Sequence, residues 1–144
     1  MKKAIALCMA ILLLMCTPVW GSAENTRIAQ LEELLISTLD GVLDQYRLEC
    51  NETGIVLIAW YEGVSVSLQA YMLGIYMDNG IYSIWENACK NTEGFVCSLR
   101  DLIDACGFED LDLLYIEIDE YTHTVPFFIM HNKDVVYNCI PKPL

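Results

Sequence analysis

The chain has 144 residues, 55% hydrophobic and 19% charged, and its 20 acidic side chains outnumber 8 basic ones for a net charge of −12. Such a balance repels phosphate backbones and anionic lipid, which argues against nucleic acid and membrane surfaces as partners and favours a basic protein. The length suits one domain.

Lys2 and Lys3 open the chain, Ala4 to Met15 form an unbroken apolar run, and the small residues Gly21, Ser22 and Ala23 follow. That order is the layout of a bacterial secretory signal peptide. The apolar run falls short of the roughly 20 residues that a membrane-spanning helix needs. Cys16 follows bulky Met15 and Cys8 follows Leu7, the wrong neighbours for a lipidation cysteine. Cleavage after Ala23 is therefore expected, with a signal peptide over 1–23 and a single domain over 24–144. Loss of the two lysines takes the net charge from −12 to −14. The expected location is extracytoplasmic, secreted or in the cell envelope, with no stable membrane anchor after cleavage.

Ile28, Leu31, Leu35, Leu39, Val42 and Tyr46 recur at helical spacing, which predicts one amphipathic helix from Arg27 to Cys50. Asn51 to Gly54 then turn the chain. "IVLIAWY", Ile55 to Tyr61, reads as a buried strand, and Val64, Val66 and Leu68 alternate with Ser65, Ser67 and Gln69 as a half-buried one. Its continuation to Met77 fits strand and helix alike. Asn79-Gly80 is a type I′ hairpin signal, which predicts a strand at Ile81 to Trp85 and a loop from Glu86 to Gly94.

A second helix is expected from Phe95, with Leu99, Leu102, Ile103 and Cys106 inward, Arg100, Asp101 and Asp104 outward, and Gly107 at its end. "LDLLYIEID" predicts a strand with Leu114, Ile116 and Ile118 inward and Tyr115, Glu117 and Asp119 outward. "VPFFIMH" and "VVYNCI" form a last hairpin across Asn132 to Asp134. The expected fold is α+β, two helices packed on a mostly antiparallel sheet in the order α-β-β-β-α-β-β-β.

Five cysteines lie beyond the signal, and an exported chain can oxidise them. Cys89 is the nearest partner for Cys97, across a loop, and Cys50 and Cys139 are candidates to meet across the core. Cys97 is placed off the apolar face of its helix and Cys106 on it.

No C-x-x-C, phosphate-binding loop, calcium loop or close Cys/His clamp occurs, so neither cofactor nor metal is expected. Glu117 and Asp119 share a strand face roughly 7 Å apart. With His123 they are the candidate acid/base groups of a small hydrolase, but outward carboxylates lack the burial that raises a pKa. Tyr71, Tyr76, Tyr82, Trp85 and Tyr115 fall on or near strands with apolar residues on both faces, and aromatic residues with an acidic border suit a protein interface. The sequence thus points first to an exported, acidic, non-enzymatic binding module, of inhibitor or immunity type, for a basic protein. A small extracytoplasmic hydrolase and a structural cell-envelope subunit are the alternatives.

Overall fold

The computed structural model describes residues 22–61, 74, 82–119 and 125–140. The expected signal segment up to Gly21 lies outside them, as do the strand expected at Val64 to Leu68 with its Asn79-Gly80 turn, and His123. The described elements are helix α1 (Ser22–Leu39), strands β1 (Tyr46–Asn51) and β2 (Gly54–Tyr61), helix α2 (Tyr82–Ala105), and strands β3 (Asp112–Asp119), β4 (Pro126–His131) and β5 (Asp134–Asn138). The strands form one sheet in the order β1-β2-β3-β4-β5. Its pairs are antiparallel except β2 with β3, which run parallel. An α+β fold on a mostly antiparallel sheet is therefore what these residues build.

Helix α1 buries Ile28, Leu31, Leu35 and Leu39, the stripe read from the sequence. The helix ends there instead of running on to Cys50. Gly41 takes φ 83°, a left-handed conformation open to glycine, and Val42 is left 59% exposed. Beyond that point the burial period changes from helical to two. Tyr46, Leu48 and Cys50 are half-buried while Arg47, Glu49 and Asn51 are exposed, so this stretch is strand β1. The Asn51 carboxamide oxygen then accepts the Thr53 and Gly54 amides at 2.9 and 3.2 Å and closes the hairpin to β2.

Helix α2 corrects a second expectation. From Tyr82 onward, the strand expected up to Trp85 and the loop after it are the first half of this 24-residue helix. Trp85, Cys89, Val96, Leu99 and Ile103 are buried along one stripe, with Thr92 half-buried in the same row. Spacings of four and three residues outweigh a turn signal that precedes them. Arg100, expected outside, is 4% exposed. It ion-pairs with Asp104 and donates to the carbonyls of Leu111, Phe108 and Glu109. The guanidinium is buried because the turn after the helix supplies its acceptors.

Strand β3 runs where the sequence places it but with its faces exchanged. Leu113, Tyr115, Glu117 and Asp119 are buried, while Leu114 and Ile116 are half-buried. Leu113 and Tyr115 join Ile55, Leu57 and Ala59 of β2, Phe128 and Met130 of β4, and the buried stripes of both helices in one hydrophobic core. Gly54 lies so close to β3 that an added Cβ would stand 2.9 Å from the Asp112 carbonyl oxygen.

Candidate functional site

The exchange of faces creates a polar cluster inside the core. Glu117 pairs in register with Ala59 on one side and Phe128 on the other, near the carboxyl ends of the parallel strands. It is 6% exposed. Its Oε1 accepts the Tyr115 hydroxyl at 2.8 Å and the Thr92 hydroxyl of α2 at 3.2 Å. Desolvation pushes the Glu117 carboxyl above its ordinary range, against the pull of those two hydrogen bonds. Burial and the neighbouring Glu117 charge also drive the Tyr115 phenol strongly upward, and the Tyr61 hydroxyl is hydrogen-bonded to it. Asp119 is buried beside them, opposite Tyr61 in the register. A carboxyl with a raised pKa can act as a general acid if a reactant reaches it. None of this was expected from the alternation, which put Glu117 and Asp119 in solvent.

The other proposed site residues fare unevenly. Tyr71, Tyr76 and His123 lie outside the described residues. Tyr82 is half-buried at the start of α2, packed against the core. Trp85 is a helical core residue, 7% exposed, and Tyr115 is fully buried at 0%. Neither is an exposed anchor. Trp85 packs at a tilt on Phe127 with ring centroids 6.4 Å apart and donates its indole N–H to Asn138 Oδ1 at 3.0 Å.

None of the five cysteines beyond the expected signal is bonded to another in this structure. Cys89 and Cys97 stand on one helix, where eight residues of rise separate them by about 12 Å, too far for a disulfide. Cys50 on β1 and Cys139 just after β5 belong to opposite edges of the sheet, roughly 19 Å apart at four strand spacings. The fold holds neither expected pair within disulfide reach. Cys106 is buried, as its helical phase implied, and Cys97 is half-buried. Cys50 lines a shallow cleft between α1 and the β1–β2 turn, but burial and the nearby Glu32 charge push its thiol up to about 12. A thiol held protonated in this way is a poor nucleophile at neutral pH.

The outer sheet face carries a feature the aromatic reading missed. Val56, Ile58 and Trp60 of β2, Leu114 and Ile116 of β3, and Ile129 of β4 all lie on it, half-buried, and none belongs to the core cluster. Ile118 continues the β3 row and is 8% exposed. Arg47 and Glu49, an ion pair, border the face on β1, and Asp112 and His131 border it further across. The signal was present in "IVLIAWY", apolar in both phases, and in "LLYIEI", where only Glu117 breaks the second apolar phase.

Among the described residues no three His, Cys, Asp or Glu side chains stand together as metal ligands. No described helix is long and apolar enough to cross a membrane. Comparisons with protein-family models, curated proteins and solved structures return no match.

Proposed function

We propose that this protein is an exported, non-enzymatic binding module that docks a basic protein on the outer face of its sheet. The observation in support is the apolar centre of that face, Val56, Ile58, Trp60, Leu114, Ile116 and Ile129, which contributes nothing to the core. A sheet with helices on one side and water on the other normally alternates apolar with polar residues. Apolar rows in the second phase mark a surface that another surface covers. Trp60 supplies the kind of large, rigid side chain that anchors protein interfaces, and charged Arg47, Glu49 and Asp112 supply a rim. The net charge of −12 selects a partner with a surplus of lysine and arginine and speeds its approach at low salt.

The test pairs two measurements on a double variant, Ile58→Thr with Ile116→Thr, which keeps β-branched side chains on both central strands. Capture of basic protein from the producing organism's envelope fraction is expected to fall at least tenfold and to be salt-sensitive in the parent chain. Stability is expected to drop by only about 1 kcal/mol per site, because each side chain is half-buried. A loss of several kcal/mol per site would mean that the face is closed within the monomer and would remove the reading.

One observation favours a second reading, an acid–base hydrolase: the raised carboxyl of Glu117 beside buried Asp119. His123 is its candidate third member. Turnover in a broad hydrolase screen that Glu117→Gln abolishes would select this reading over the binding module.

A further inference from the structure

Two cysteines that were not expected to pair share one neighbourhood. The Asn138 amide nitrogen donates to Cys89 Sγ at 3.5 Å, and the Trp85 indole, one turn earlier on α2, donates to Asn138 Oδ1 at 3.0 Å. These bonds hold the last residue of β5 against the Trp85–Cys89 turn of the helix. Cys139 is the next residue, in the bend that leaves the sheet, tied by its amide to the Phe127 carbonyl at 3.0 Å. Cys89 belongs to the hydrophobic core and Cys139 packs against it. The remaining thiols have other surroundings: Cys50 faces Glu32 at the far edge, Cys97 lies two turns along α2, and Cys106 closes that helix's C-terminal end.

We infer that Cys89 and Cys139 form a disulfide that staples the end of the sheet to the middle of α2. The oxidant is a small-molecule disulfide such as oxidised glutathione. A Cys139 thiolate attacks it, forms a mixed disulfide and releases one thiol; the Cys89 thiolate then attacks the Cys139 sulfur and releases the second. The chain gives up two protons and two electrons, and the oxidant leaves as two thiols. Closure moves the bend after β5, since Cys139 follows the residue that touches Cys89. Burial pushes the Cys89 thiol up to about 11, so closure is slow at neutral pH, and the sheltered product resists reduction. The export reading decides only where in the cell this bond forms; the purified chain tests the pairing by itself.

The experiment incubates the full chain with oxidised glutathione, blocks residual thiols, and maps peptides by mass without reduction. A single linked pair joining Cys89 to Cys139 is expected, with an unfolding midpoint raised on the order of 10 °C. Cys139→Ser should remove both the link and the shift, while Cys97→Ser should leave both in place. A bond from Cys89 to any other cysteine overturns the inference. So does recovery of Cys89 and Cys139 as unlinked thiols or glutathione adducts.

Discussion

The Tyr115 hydroxyl donates to Glu117 Oε1 at 2.8 Å with the two side chains 0% and 6% exposed, so the sheet holds an ionisable pair on the face that packs against both helices. A carboxyl in that position faces two opposed effects. Tyr115 and Thr92 stabilise its charged form by hydrogen bonding, and loss of water penalises it more.

Stability is therefore expected to depend on pH through Glu117. Its folded pKa lies above the unfolded value near 4.5, so the unfolded chain releases the proton first as pH rises. The associated stability is fully present below that value and is lost as pH climbs through the folded pKa. Glu117→Gln, which keeps the shape and an acceptor oxygen without the proton equilibrium, should flatten that dependence. Urea melts of both proteins across the acid-to-neutral range check this. Parallel curves would mean that Glu117 ionises as freely in the fold as out of it.

Trp85→Ala should behave as a core truncation. The side chain is 7% exposed, packs at a tilt on Phe127 and bonds Asn138, so its removal is expected to cost about 3–5 kcal/mol. Trp85→Phe keeps most of the volume and should cost less, the difference including the Asn138 bond. A midpoint for Trp85→Ala within error of the parent would show that the indole is outside the core.

Arg100 should matter for its fork of donors as well as its charge. It reaches Asp104 and the carbonyls of Phe108, Glu109 and Leu111, which organise the turn from α2 into β3. Arg100→Met strips those carbonyls of a buried donor and is expected to cost about 3 kcal/mol. Arg100→Lys should rescue only part of that, because an ammonium cannot spread across the same acceptors. Full rescue by lysine would reduce the role to charge alone.

Some of this was legible in the residues. Period-3.6 and period-2 patterns located α1, the second half of α2, β2, β3 and the last hairpin, because those periods follow from backbone geometry. The end of α1 just before Gly41 and the switch to alternation at Tyr46 are written there too, but the helical period spans both. The α2 stripe from Trp85 to Ile103 was equally present, hidden behind the Asn79-Gly80 turn signal.

What the residues alone determined is which positions are apolar and with what period, and hence two helices on a mostly antiparallel sheet. Which phase of β3 faces the helices was decided only in three dimensions. Both phases are rich in apolar residues, Leu113 and Tyr115 in one, Leu114, Ile116 and Ile118 in the other, so alternation could not choose between them. The register with β2 and β4 chose, placing Tyr115 between Leu57 and Met130, both fully buried, and taking Glu117 inside with it. The placement of Cys89 beside Asn138, and of Cys50 far from Cys139, was settled the same way. Strand order sets distances between residues remote in sequence, and no local pattern encodes it.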